Sequence, residues 1–305
     1  MIKVYVNDET SLLKAVVLGT AESFGGTPKL EEAYDPKTRE HILNDSFPLE
    51  ADLRSELTEF ETVLKKYGVT VYRPQIIENC NQVFSRDIGF VIEDKFIIPN
   101  ILKHRRKEID GIDYIVDQID PDHLLEVPDE VRIEGGDVMP WKDHIFVGYS
   151  KSPDFEKYVV ARTNEKGVQF LKESFPAKKV MAFELKKSDT DPRDNALHLD
   201  CCFQPIGRDS AIIYKGGFKN PDDYEFLVEF FGRQNLIEIT REEMYFMNSN
   251  VFSIAPDVIV SEKGFTRLNG ILRERGFIVE EINFAEISKM EGLLRCATLP
   301  LLRTF

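Results

Sequence analysis

Cysteine is scarce in this chain. There are four in 305 residues, two of them adjacent (Cys201, Cys202) and none in CxxC spacing, which excludes a disulfide framework. Histidine is equally sparse. The five (His41, His104, His123, His144, His198) are scattered and match no HExxH pattern, so no metal is expected. Glycine-rich phosphate loops, GxGxxG or GxxxxGK followed by Ser or Thr, are missing. Positive charge is in deficit: 39 Lys and Arg against 53 Asp and Glu leave a formal net charge of −14. Nucleic acid, which needs a basic patch, is therefore not an expected partner. A cationic small molecule is compatible, because an acidic cleft focuses positive ligands, although plain solubility explains the acidity as well. No apolar run approaches the roughly 20 residues of a membrane span, so no membrane partner is expected. The first residues, MIKVYVNDETS, lack the apolar core of a secretory signal, and the expected compartment is the cytoplasm. Nor does any Pro/Gly/Ser-rich linker divide the chain. One domain over residues 1–305 is expected, long enough to bury a large core.

What is present is a repeat. Four segments read as apolar strand, short polar turn, apolar strand: GFVIEDKFIIPN from Gly89, DVMPWKDHIFVGY from Asp137, CFQPIGRDSAIIYKGG from Cys202 and NVFSIAPDVIVSEKG from Asn250. Such patterns predict hairpins. Apolar stripes at helical spacing alternate with them. One is Leu49, Leu53, Leu57, Phe60 and Leu64, stopped by Gly68. Others are Val168, Leu171 and Phe175 with Thr163 as the expected cap, then Tyr224, Leu227, Val228 and Phe231, then Phe265, Leu268 and Leu272. β-rich runs follow at Val69, Lys179, Asn235 and Phe277. The unit of hairpin, helix and strand recurs about every 50 to 65 residues, a period of stacked or radial repeats. LLKAVVLG near the start and Leu293 to Leu302 near the end would supply a fifth unit and close a ring, removing exposed sheet edges. The predicted fold is α/β with pseudo-fivefold symmetry. Two separate α/β domains are the competing arrangement.

Five stretches carry residue types suited to chemistry. EGLLRCATLPLLR (Glu291 to Arg303) holds Cys296. A thiol attacks only as thiolate and needs a cation or base beside it. A lone cysteine is commonly a small buried hydrophobe, but Arg295, Thr298, Pro300 and Arg303 make a poor core strand. HLDCCF reads as a strand, so His198 and Asp200 are expected on one face, with Cys201 and Cys202 left to packing. A surface His–Asp pair is the plainer alternative. In RIEGGDVM, two glycines allow a tight backbone, with φ > 0 as one option, beside Glu134 and Asp137. A solvated Gly-Gly turn would look the same. NQVFSRD offers Asn81 and Asp87, the latter able to pair a guanidinium in bidentate fashion unless Arg86 and Asp87 form a surface pair. ARTN contributes Arg162.

In this order, Arg86-Asp87, Glu134–Asp137, His198–Asp200 and the terminal Cys296 resemble the motifs of the guanidine-modifying (pentein, or amidinotransferase) superfamily, over Asn81 to Arg303. That group includes arginine deiminase, dimethylarginine dimethylaminohydrolase, agmatine deiminase and glycine amidinotransferase. The resemblance implies a five-bladed α/β propeller, no cofactor and a small guanidino substrate; a homo-oligomer is compatible with it. It implies that Cys296 attacks the guanidinium carbon to form an S-alkylthiouronium, and that His198 protonates the departing amine and then deprotonates water or an incoming amine. Glu134 would support His198. Asp87 and Asp200 would hold the guanidinium nitrogens, with Asp137 counted among the substrate-binding group, and Asn81 would touch the amino-acid end. Arg162 resembles a carboxylate-binding arginine; because SPDFEKYVV looks inserted ahead of it, Arg106 or Arg105 is the alternative. The Glu-Gly-Gly-Asp and RCATLPLLR stretches are closer to the hydrolases, and the chain is short for the helical insert of arginine deiminases. Flanks such as NSNVFSIAPDVIVSE are similar to amidinotransferases. Hydrolysis of arginine or a derivative is the expected activity, transfer of the amidino group to an amine such as glycine the alternative. A non-catalytic binding protein on the same fold is a remote third.

Overall fold

In a computed structural model the chain is described over residues 1–304. Its strands are β1 (Leu12–Leu18), β2 (Thr70–Tyr72), β3 (Phe90–Ile92), β4 (Lys95–Ile98), β5 (Leu124–Glu126), β6 (Val138–Trp141), β7 (His144–Tyr149) and β8 (Lys179–Glu184). They continue as β9 (Phe203–Ile206), β10 (Ser210–Ile213), β11 (Leu236–Glu238), β12 (Phe252–Ala255), β13 (Val258–Glu262), β14 (Ile278–Ile282) and β15 (Thr298–Thr304). Five three-stranded sheets result: β15-β1-β2, β3-β4-β5, β6-β7-β8, β9-β10-β11 and β12-β13-β14. In each, two antiparallel strands are joined on the far side of the second by a parallel strand, which in the β1, β7, β10 and β13 sheets arrives after a long connecting helix. A parallel partner needs a crossover, and the apolar stripes supply it.

The fifth sheet is made from both ends of the chain. β15 pairs antiparallel with β1, Leu18 opposite Thr298 and Leu12 opposite Thr304. The ring is thereby closed and the five-bladed architecture is that expected from the repeat.

The crossover helices carry the core. In Glu50–Lys66, Leu53, Leu57, Phe60 and Leu64 are buried, and the Phe60 ring meets Phe252 and Phe284 edge-on at 5.8 and 5.6 Å. Burying one such ring is worth about 2–3 kcal/mol. Glu50 and Asp52 in its first turn and Lys65 and Lys66 in its last complement the helix dipole. Leu49 departs from the expected stripe: it is the N-cap and is exposed, because the helix starts one residue later. The helix Glu165–Ser174 is capped by Asn164, whose side chain accepts from Gly167 N, not by Thr163. Thr163 Oγ1 instead accepts from Glu134 N at 3.3 Å, which ties this blade to the site.

Two local expectations need correcting. HLDCCF does not run as a strand to the ring centre; Leu199–Cys201 is a 3₁₀ turn and β9 begins at Phe203. Its backbone groups are taken by neighbouring side chains before a ladder can form. Leu199 N donates to Asp137 Oδ1, and Asp200 O accepts from Ser249 Oγ and Asn250 Nδ2. Gly135 and Gly136 are not left-handed either. They are glycines for closeness: a Cβ on Gly135 would stand 2.0 Å from Arg86 O, and one on Gly136 2.6 Å from His198 Nδ1. No helix among the described residues is long and apolar enough to cross a membrane.

Candidate active site

The segment before the first strand of each hairpin ends near the middle of the ring. Ser85–Asp87 precedes β3, Gly135–Asp137 precedes β6 and Leu199–Cys201 precedes β9, each a 3₁₀ turn. Asn248 to Asn250 precede β12, and Arg295 with Cys296 precede β15. Side chains more than two hundred positions apart therefore converge.

They surround a cavity of about 450 Å³ lined by Asn81, Asp87, Arg105, Arg162, His198 and Cys296, among others. His198 is buried, with Nε2 2.9 Å from Glu134 Oε2 and 3.9 Å from Asp87 Oδ1. Burial alone would lower the imidazole's pKa, but Asp87, the Glu134 hydrogen bond and Asp137 outweigh it and raise it above the ordinary histidine value. Burial would likewise raise the Glu134 carboxyl. Arg162, His198 and Arg105 overcome that and hold it below the usual carboxylate range.

Cys296 is buried against the apolar core on one side and opens to the cavity on the other. Its Sγ lies 3.5 Å from Asp200 Oδ2 and 3.2 Å from Asn250 Nδ2, and its N–H donates to Asn250 Oδ1 at 3.1 Å. Burial pushes the thiol up, and Asp200 and Asp87 push it the same way. All three effects favour the neutral thiol over the thiolate. A cation above the sulfur would reverse the two electrostatic contributions.

Asp200 is fully buried beneath the sulfur, held by Arg295 Nη1 at 2.8 Å. Arg295 is itself clasped by Glu9, with Nε–Oε2 at 2.9 Å and Nη2–Oε1 at 3.1 Å. Asp87 accepts from Gly136 N at 3.0 Å and from Arg105 Nη1 at 2.6 Å. Asp87, Glu134 and His198 offer donor atoms within 4.8 Å of one another, the geometry of a metal trio. Their carboxylates already accept from Arg105 and Arg162, so an added divalent ion would sit beside two guanidiniums.

Arg162 reaches the cavity despite the insertion, because Ser152–Lys157 folds into a short helix with no buried residue. Its Nη1 donates to Glu134 Oε2 at 3.2 Å, while Nε and Nη2 are buried with no acceptor among the described residues. Arg105 is engaged by Asp87, Glu108 and Phe84 O, which take four of its five donors. Arg106 is not at the site. It is exposed in a separate crevice with Pro99 and Arg132, since Lys103–Ile112 is 3₁₀ and its threefold spacing turns Arg105 and Glu108 inward. Asp137 does not line the cavity; it lies behind His198 and fixes the Leu199 N–H. Asn250, Arg295 and Glu9 had no assigned role in the sequence. Asn250 could have been found from its place just before a hairpin, where Asp87 and Asp200 also stand.

The five-bladed ring is the fold of the guanidine-modifying superfamily, and the comparisons agree. An amidinotransferase from the saxitoxin pathway of Microseira wollei superposes with a TM-score of 0.77 at 17% identity, over 99% of this chain and 98% of that one. The family model for eukaryotic N,N-dimethylarginine dimethylhydrolase matches residues 31–303, and the chain belongs to that family. The uncharacterized protein YkgA of Bacillus subtilis (strain 168) is 30% identical over 273 residues, 88% of this chain and 86% of that protein. Arginine deiminase of Limosilactobacillus reuteri (strain DSM 20016) is 26% identical over 73% of this chain, which spans 61% of the deiminase.

Proposed function

We propose that the protein is a cysteine-dependent hydrolase of a guanidino compound, foremost arginine or an arginine derivative. The observation that carries this reading is one cavity faced by a thiol, a carboxylate-supported imidazole and Asp87, with Asp200 beneath the sulfur. Asp87 and Asp200 hold the guanidinium nitrogens by charge-assisted hydrogen bonds. The bound cation lowers the thiol's pKa, Cys296 releases its proton to solvent, and the thiolate Sγ bonds to the guanidinium carbon as planarity is lost. His198 gives its proton to the departing nitrogen, the C–N bond breaks, and an S-alkylthiouronium remains. Neutral His198 then takes a proton from water, whose oxygen displaces the sulfur. Glu134 keeps His198 oriented and cationic. The two free donors of Arg162 suit a substrate carboxylate, and Asn81 lies on the same cavity. A purely binding protein would have no use for this set of groups.

Amidino transfer shares every step up to the covalent species, so the test includes an acceptor. The protein is incubated with arginine, methylated arginines and agmatine, with and without glycine, and the adduct on Cys296 is trapped by mass spectrometry. Release of ammonia or amine without glycine is expected. Unchanged turnover in Cys296→Ser would remove the mechanism.

A further inference from the structure

The cavity has an acidic corner that the guanidine chemistry leaves unused. Asp35 and Glu291 line it, 5% and 4% exposed respectively. Glu291 sits five residues before Cys296 with φ of 58°, a left-handed conformation that a non-glycine residue adopts only under strain. Its Oε1 accepts from Asn195 Nδ2 at 2.6 Å. Its Oε2 is buried and has no donor among the described residues. Asp35 uses Oδ1 to cap the helix Pro36–Leu43 through Thr38 N at 2.7 Å, and its carboxyl lies against that of Glu291 at the cavity wall.

A cation is nearby but engaged elsewhere. Lys37 is buried, and its Nζ donates to Tyr245 O at 2.5 Å and lies over the Tyr245 ring at 4.5 Å. Lys37 faces Glu291, Asp35, Glu40 and the Cys201 thiol, so the two carboxyls share one lysine that bonds to neither. Burial and the facing Asp35 carboxyl push the Glu291 carboxyl well up from its ordinary value. A buried carboxyl oxygen without a donor is unfavourable, and a ligand that donates to it removes that penalty.

We propose that Asp35 and Glu291 form the subsite for a primary ammonium on the substrate, the α-ammonium of an arginine-like amino acid. The inference rests on the guanidino reading above and adds what selects among guanidines. Two oxygens from separate carboxyls suit the divergent donors of an ammonium better than the planar fork of a second guanidinium. The cavity volume lies in the range of small-molecule sites. With Arg162 on the carboxylate, the corner would distinguish an α-amino acid from an analogue lacking the amine.

The test compares kcat/KM for L-arginine with that for 5-guanidinopentanoate, which keeps guanidine and carboxylate and lacks the amine. The wild-type protein is expected to prefer arginine by about 10- to 150-fold, the value of one charged buried hydrogen bond. In Glu291→Gln, and independently in Asp35→Asn, which still caps its helix, the ratio is expected to fall within about threefold. Equal use of both compounds by the wild type overturns the subsite while leaving guanidine hydrolysis intact. A preference kept in both variants, or an equal loss of both substrates, does the same. If neither compound binds or reacts, the guanidino reading falls and the subsite with it.

Discussion

A Cβ added to Gly136 would stand 2.6 Å from Nδ1 of His198. The glycine is thus part of the mould that sets the imidazole. The His198 ring packs against the backbone of the Glu-Gly-Gly-Asp turn on one side and bonds to Glu134 through Nε2. Gly136→Ala is expected to displace the ring by about 1 Å and lower kcat by about 100-fold. Because Gly136 does not need φ > 0, circular dichroism should show the fold retained, while crowding the buried ring should lower stability by about 1–3 kcal/mol, read as a lower thermal midpoint. Gly135→Ala is the contrast. Its Cβ would meet Arg86 O at 2.0 Å, a backbone atom that cannot rotate away, and the expected outcome is loss of fold.

The pH dependence of turnover should follow His198. Its pKa is raised in the folded protein, with burial opposing and Asp87 and Glu134 favouring the charged form. In the proposed mechanism it is the general acid and must be protonated, so kcat is expected below that raised pKa and should fall as pH rises through it. Glu134→Gln removes a negative charge 2.9 Å away and should move this alkaline limb to lower pH, by about one unit or more. An unmoved limb in the variant would separate Glu134 from the proton transfer.

The free thiol should react sluggishly. Burial, Asp200 and Asp87 all raise the Cys296 pKa, so alkylation by iodoacetamide is expected to be slow at pH 7 and still accelerating above pH 9. Asp200→Asn removes the nearest of these charges, 3.5 Å from Sγ, and alkylation at pH 8 should speed up by about tenfold per unit of pKa lowered. Cys201 and Cys202, both buried and both raised, should stay unmodified, which peptide mapping reads directly.

Much of this architecture was legible in the residues because period is a local property. The hairpin at Glu93-Asp94 and the stripe Leu53, Leu57, Phe60, Leu64 need no knowledge of distant neighbours. What escaped was set by packing between blades. HLDCCF has strand composition, yet Asp137, Ser249 and Asn250 take the hydrogen bonds a ladder would need. Arg105 and Arg106 are indistinguishable in sequence until 3₁₀ spacing turns one inward. Glu9 lies 286 positions from the arginine it clasps, and no local pattern announces such a pair.

That clasp leads to a stability prediction with a definite sign. Arg295 is fully buried between Glu9 and Asp200. Burial alone would raise the Glu9 carboxyl, but Arg295, and more weakly Arg86, bring it down to about 2 from an ordinary 4.5. A depressed carboxyl contributes stability that is complete above its unfolded pKa and disappears as pH falls through the folded one. The window is therefore about pH 4.5 to 2, and the amount is on the order of 3 kcal/mol. Urea unfolding of the wild type should lose most of this increment between pH 5 and pH 2.5, whereas Glu9→Gln should start lower at pH 7 and decline less over the same interval. Arg295→Met is the harsher change, because it strands two buried carboxylates. A loss of about 3–5 kcal/mol at pH 7 is expected, partly recovered on acidification as the carboxylates take up protons. Parallel pH profiles for wild type and Glu9→Gln would mean that the Glu9–Arg295 pair contributes nothing to folding, despite its geometry.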